Sequence, residues 1–281
     1  MRSNSKELEL KNKALIMPVI VLSQFAGTSL WFAGNAVITD LQNALNLDGA
    51  VLSHITSAVQ FGFIAGTLVF ALLTISDRFS PSKVFFVCSI AGAIANLGVY
   101  LLAYNFASLL VFRILTGFFL AGIYPVGMKI AADHHEKGLG KSLGYLVGAL
   151  VVGTAFPHLL KSFTRAISWE YVFVFTSIFA AVGGLLVLLL VPDGPYHKRS
   201  PRLDLSAFFK VFQKRDFRAA AFGYFGHMWE IYTFWAFVPV ILSYYNEFNN
   251  ENINSISFYS FLIIAIGGLA CVIGGYLSQR S

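Results

Sequence analysis

The sequence predicts an all-α membrane protein of about eight transmembrane helices, and three observations carry that reading. First, 57% of the 281 residues are hydrophobic and only 12% are charged, against roughly 25% charged residues in soluble domains. The mean hydropathy of +0.69 and the 28 phenylalanines describe more apolar surface than a soluble core of this size encloses. Second, apolar runs of about 20 residues, the length that crosses a ~30 Å hydrocarbon layer as a helix, recur along the chain. Third, lysine and arginine avoid these runs and collect on alternate connections.

The runs fall at 14–38, 51–75, 84–104, 107–131, 142–161, 169–191, 219–244 and 257–277. Backbone groups in lipid must find partners within a helix or a closed barrel, and runs this long exclude barrel strands. The start, Met1 to Lys13, is polar and basic. The first run is too long for a signal peptide and has no small-residue cleavage site, so span one is expected to serve as an uncleaved insertion signal. Cys88 and Cys271 lie inside separate spans, which indicates neither a disulfide framework nor a metal site, and no cofactor is called for.

Orientation follows from the cations. With the N-terminus in the cytoplasm, the inner segments hold Arg2, Lys6, Lys11, Lys13, Arg78, Lys83, Lys129, Lys137, Lys141, Lys198, Arg199, Arg202, Lys210, Lys214, Arg215, Arg218 and Arg280. The outer segments hold Lys161 and Arg165, and Arg113 lies within a span. A bias of this size fixes the topology. It also accounts for the net charge of +6 without a nucleic-acid partner. Short polar tails and the lack of a targeting segment favour an inner (plasma) membrane of a bacterium.

The longest connection runs from Pro192 to Arg218. Pro192 and Pro195 end span six, and the loop then turns basic. Within it, Leu205–Gln213 is expected to lie as a short amphipathic helix on the inner leaflet, with Leu205, Phe208, Phe209 and Phe212 toward lipid. The chain divides into a cytoplasmic tail (1–13), a six-helix bundle (14–191), the basic loop (192–218) and two further helices (219–281). Sliding the sequence by 202 residues lays Gly66 on Gly268, Ser76 on Ser278 and Arg78 on Arg280, a faint repeat that restarts at span seven.

Three local motifs belong with this pattern. Between spans two and three the chain reads Leu73-Thr-Ile-Ser-Asp77-Arg78-Phe79-Ser80-Pro81-Ser82-Lys83, and after span eight Gly275-Tyr-Leu-Ser-Gln279-Arg280. Span four carries Arg113-Ile-Leu-Thr-Gly117 and then Gly122. Span five carries Gly144, Gly148, Gly153 and Pro157. Six helices, a basic loop and a second set beginning anew, with these motifs, resemble the major facilitator superfamily over the whole chain. The family's last four helices are expected beyond Ser281, which makes the sequence a C-terminally truncated member.

The resemblance implies two helix bundles rocking about a central cavity lined by helices one, four, seven and ten. It implies a latch on the inner side built from Asp77, Arg78, Lys83, Gly275 and Arg280. Leu73 and Ser80-Pro81 stand where the family has glycines, and Gln279 where it has aspartate. The plain alternative is a turn in which Asp77 faces the positive N-terminus of helix three. Gly117, Gly122, Gly148, Gly153 and Pro157 read as close-packing and kinking positions. The family's antiporter signature has glycine next to proline, and here three residues separate Gly153 from Pro157.

The chemistry-bearing candidates are the ionisable and polar groups inside spans, which are costly there unless they face a partner or a cavity. Arg113 admits two roles: proton coupling or anion attraction, or a structural arginine bonded to carbonyls. In span seven, His227 and Glu230 are three apart on one face. Glu230 is the candidate proton carrier, with His227 tuning it or binding solute, and Tyr224 lining nearby. In span one, Gln24, Trp31 and Asn35 fall on one helical face, and the resemblance places them with Arg113, Tyr124, His227 and Glu230 around the cavity. His54, Gln60, Asn96 and His158 read as interhelical hydrogen-bonding groups, and Asp40 as solvated or packing at the outer end.

Three functions compete. Proton-linked transport of a small solute, organic or inorganic anions included, suits cationic and aromatic groups around one carboxylate. Its partners are a small-molecule substrate, the proton and the lipid bilayer. Helices one, four and seven are similar to the broad cyanate and nitrate/nitrite porter-like branch, but helix two lacks an arginine and helix five a nitrate signature. A membrane enzyme needs a nucleophile–base or metal constellation, and His134-His135-Glu136 in a turn does not supply one. A non-transporting receptor or assembly protein, or an inactive truncated transporter, is the remaining alternative.

Overall fold

The computed structural model describes residues 2–47, 49–135, 138–163, 168–197, 210–250 and 253–278. Span one is α1 (Arg2–Thr28), followed after a turn by α2 (Ala33–Ala36) and α3 (Ile38–Leu45). Span two is α4 (Val51–Leu72), with the short α5 (Ile75–Arg78) after it, and span three is α6 (Pro81–Leu102). Span four comprises α7 (Phe106–Leu120) and α8 (Tyr124–Asp133). Spans five to eight are α9 (Leu139–Phe163), α10 (Glu170–Leu190), α11 (Arg215–Asn249) and α12 (Ile256–Leu277). The regular structure among the described residues is helical, and six of the helices are long and apolar enough to cross a membrane.

Four details differ from the sequence reading. The polar tail continues α1 back to Arg2, because Glu, Leu and Lys are good helix formers even outside lipid. Span one breaks at 29–32 and span four at 121–123. Span seven is a 35-residue helix, longer than the apolar run that marked it. Of the expected amphipathic helix, residues 205–209 lie outside the described residues, as does Arg280.

Packing follows the small residues. Span two lies on span four, span three on spans four and six, span one on spans five and six, and span eight along span five. Lipid tails are as apolar as leucine, so close van der Waals approach between helices matters more than apolar burial. A Cβ on Gly117 would run into the carbonyl of Val59, and one on Gly62 into that of Ile114. Along the crossing of spans five and eight, a Cβ on Gly144 would sit 2.9 Å from Cα of Gly275, and one on Gly148 2.9 Å from the oxygen of Gly268. Gly122 backs onto Cys88, and Gly153 onto Phe25 and Thr28. Pro157 sits inside α9.

The segments read as inner converge at one end of the bundle. There Asp77 pairs with Lys129 at 2.8 Å, Ser82 Oγ donates to the carbonyl of Val191 at 2.8 Å, and Tyr145 and Tyr276 share a hydroxyl hydrogen bond of 2.7 Å. At the opposite end Lys161 pairs with Asp40 at 2.6 Å. Span seven is the loosest element. It touches the first bundle through Tyr232 and Trp235 and leaves most of its length exposed.

Candidate functional site

The site begins with the break in span one. Thr28 Oγ1 donates back to the carbonyl of Gln24 at 2.8 Å, and Ser29 Oγ to that of Ala26 at 2.7 Å. Such bonds compete with helix propagation, and the backbone tightens, Trp31 N–H donating to Thr28 at 3.0 Å. The turn aims two carbonyls, those of Leu30 and Trp31, toward span four.

Arg113 takes them. Its Nη1 and Nη2 each donate to the Leu30 oxygen at 3.3 Å, and Nη2 also donates to the Trp31 oxygen. Nη1 further donates to Asn96 Oδ1 at 3.1 Å. Asn96 Nδ2 in turn donates to Thr176 Oγ1 and Ser177 Oγ, both at 3.0 Å, and to the Phe173 carbonyl at 3.3 Å. One network thus joins spans one, three, four and six. The guanidinium offers five donors in a planar fork, and neutral oxygens take the place of a counter-ion. Arg113 is 0% exposed, so of its two roles the geometry displays the structural one, bonded to carbonyls.

The break also separates the span-one candidates. Four-residue spacing shares a face only on an unbroken helix. Asn35, beyond the turn, donates to Thr56 Oγ1 of span two at 2.7 Å. Gln24, before it, lies against Gly127 of span four, buried with both amide atoms unpartnered among the described residues. Trp31 faces a third way. Its ring centroid is 4.7 Å from that of Phe63 and 5.3 Å from that of Tyr232, stacked at 26°, and its Nε1 has no partner among the described residues.

Span seven meets this point with an aromatic edge. Tyr232 and Trp235 pack on each other at 5.3 Å and on Phe32 at 6.4 and 6.5 Å. Tyr124, at the start of α8 just after the break in span four, is an electrostatic neighbour of both Tyr224 and Tyr232. Trp31 and Tyr124 are therefore brought together with Tyr224 and Tyr232 of span seven. His227 and Glu230 are not. Both are exposed on α11, with Glu230 the further round the helix from Trp235, and neither makes a hydrogen bond or ion pair among the described residues.

At the basic end, Asp77 is engaged within the first bundle. Lys129 reaches it at 2.8 Å and also reaches Asp133 at 3.8 Å. His197 Nδ1 lies 2.8 Å from Asp133 Oδ2. The connection enters α5 through Thr74 at φ 48°, a left-handed conformation that a β-branched residue adopts at a cost of about 1–2 kcal/mol. Asp77 and Lys129 thus tie the loop between spans two and three to span four, and Asp133 and His197 tie span four to the segment after span six. Gly275 packs on Gly140 and Gly144, while Arg78 and Lys83 are exposed.

Sequence reasoning passed over Tyr232 and Trp235. The signal was present as the stripe Met228, Ile231, Tyr232, Trp235, Ala236 at helical spacing in span seven. In a linear sequence the ionisable pair His227 and Glu230 is the more conspicuous feature of this span. Lys129, Asp133 and His197 were likewise unmarked as a group, since nothing in one dimension brings 129 near 197.

Broken first and fourth helices, pinned by a buried arginine and overlaid by the aromatic edge of a helix from beyond the long loop, define a multi-pass helical membrane protein of the carrier type. The chain belongs to the Major Facilitator Superfamily, whose profile matches residues 19–281. Among solved structures it is similar to the human organic anion transporter MFSD10 (TETRAN), with a TM-score of 0.51 and 16% identity, over 69% of this chain and 52% of that one. At that identity the likeness speaks for the fold. The chain spans about half the length of that transporter. No curated protein matches the sequence. Membership sets aside the membrane-enzyme reading.

Proposed function

We propose that this protein acts as a secondary transporter that carries a small solute by alternating access, along a path between spans one, four and seven. The observation that carries the reading is the stacking of Tyr232 on Trp31 at the break in span one. Spans one and four are discontinuous at this level, and interrupted helices in carriers typically mark the solute site. The aromatic edge of span seven is the contact that would part and re-form as the two sets of helices rock.

Proton coupling is assigned to Glu230. It lies near the middle of a 35-residue helix, where a bare carboxylate facing hydrocarbon is costly, so a polar path or a covering helix supports its retention. His227, one turn away, is the group assigned to an anionic solute, because Arg113 is committed to carbonyls. The resemblance of helices one, four and seven to the cyanate and nitrate/nitrite porter-like branch favours that solute class.

The experiment is a screen of small organic and inorganic anions for solute-driven proton movement in sealed proteoliposomes carrying a pH-sensitive dye. The transporter reading expects at least one solute to move protons and to accumulate against its gradient when pH is imposed. A solute that stabilises the purified protein but never crosses the membrane would favour a non-transporting receptor instead.

A further inference from the structure

A groove of about 600 Å3 runs between spans two, three and four at the basic end of the bundle. Its walls are apolar, with Phe70 from span two, Val87 from span three, Phe119 from span four and Phe79 from the connecting turn. Phe79 is 62% and Val87 59% exposed, so the groove opens sideways from the bundle, where a membrane's hydrocarbon meets its head groups. Its size falls within the ~300–1,000 Å3 of small-molecule clefts.

The rim carries Arg78 and Lys83. Both are exposed, and neither makes a hydrogen bond or ion pair through its side chain among the described residues. Of the acidic groups nearby, one is paired with a lysine and the other keeps its negative charge, which leaves the rim with a net charge of +1. Asp77 is held by Lys129 at 2.8 Å, and Asp193, also on the rim, accepts from Ser80 Oγ at 2.6 Å. Two unpaired cations therefore stand over an apolar furrow that faces lipid. A phosphodiester with a hydrocarbon tail answers both features, whereas a soluble anion leaves the furrow unused and a zwitterionic head group brings its own cation to the rim.

We propose that this groove binds an anionic phospholipid, with the phosphate between Arg78 and Lys83 and an acyl chain along Phe70, Phe79, Val87 and Phe119. Long basic side chains at a helix end reach head groups while their stems cover apolar surface, and each cation near an anionic leaflet adds attraction.

The test is native mass spectrometry of the purified protein titrated separately with phosphatidylglycerol, phosphatidylcholine and inorganic phosphate. Phosphatidylglycerol is expected to bind in preference to phosphatidylcholine and to resist displacement by phosphate. The double variant Arg78→Gln/Lys83→Gln should weaken it roughly thirty-fold, about fivefold per cation. Val87→Trp, which fills the furrow and leaves the charge alone, should weaken it too. Lys210→Gln/Lys214→Gln, cations of the same end but outside the groove, should leave it unchanged. All of these side chains, Val87 included, are at the surface, and helical circular dichroism checks that each variant folds, so lost binding reports the site. Unaltered affinity in the double variant overturns the proposal. So does an equal loss in the Lys210/Lys214 variant, which indicates bulk charge, or full displacement by inorganic phosphate, which indicates a free-anion site. An unaffected Val87→Trp variant overturns the acyl-chain half.

Discussion

Asn96 and Arg113 meet at 3.1 Å where four spans converge, and the asparagine is the only neutral side chain among the acceptors of that buried cation within the described residues. Its oxygen faces the guanidinium and its nitrogen faces span six, so the amide orientation is dictated from both sides. The remaining acceptors are backbone carbonyls freed by the turn in span one. The arginine thus sets the shape of span one at the level where Trp31 meets span seven.

Removing it should cost stability first. Arg113→Met leaves Asn96 Oδ1 and two carbonyls without donors, each unsatisfied buried group costing about 1–3 kcal/mol. A loss of roughly 3 kcal/mol or more is expected in the midpoint of heat- or detergent-induced unfolding. Asn96→Ala should lose less, and the double variant should show coupling of about 0.5–3 kcal/mol. Arg113→Lys should not restore stability, since an ammonium lacks the planar fork. A stable Arg113→Lys protein that has lost only uptake would place the residue on the solute path instead.

Glu230→Gln should insert and fold as the parent does, because the side chain has no partner within the described residues. Uptake driven by an imposed pH gradient should vanish, while exchange of labelled for unlabelled solute persists. Full proton-driven uptake by the variant removes Glu230 from coupling.

Gly144→Val should disrupt the crossing of spans five and eight, since a Cβ there would lie 2.9 Å from Cα of Gly275 and 2.9 Å from the oxygen of Cys271. Gly223→Ala, with no described atom within 4 Å of the added Cβ, is the matched control and should be neutral or slightly stabilising. Cross-linking between cysteines placed on the two helices reads the outcome: reduced in the first variant, unchanged in the second.

Asp77→Asn should change stability little. Its ion pair with Lys129 is partly exposed, at 26% and 22% for the two side chains, and such pairs are worth about 0–1 kcal/mol. Asp133→Asn should cost more, because Asp133 is 10% exposed and serves both Lys129 and His197. Equal melting curves for the two variants would contradict this ranking.

The spans were legible because hydrophobic length is a property of consecutive residues, and the alternation of Lys and Arg orders their ends. The breaks at 29–32 and 121–123 were not, since Ser, Thr and Gly inside an apolar run do not announce whether side chains will turn the backbone. Asn35 shows the consequence: its spacing from Trp31 fits one face, and the turn sends it to Thr56 instead. Arg113 was marked as unusual from sequence, but its partners lie 17 and more than 80 residues away, so only folding tells a ligand-facing arginine from one spent on carbonyls. Glycines at four-residue spacing in span five announced a close crossing without naming span eight as the partner.

The most direct test is accessibility at the junction of spans one and seven. In a background with Cys88 and Cys271 replaced by serine, Tyr232→Cys would be treated with a membrane-impermeant thiol reagent from each side of sealed vesicles. The account predicts modification from both sides, slowed by the transported solute, whereas Ile94→Cys on the exposed face of span three stays unreactive. Tyr232→Cys that reacts no faster than Ile94→Cys, from either side and with or without solute, contradicts a path past Trp31 and Tyr232.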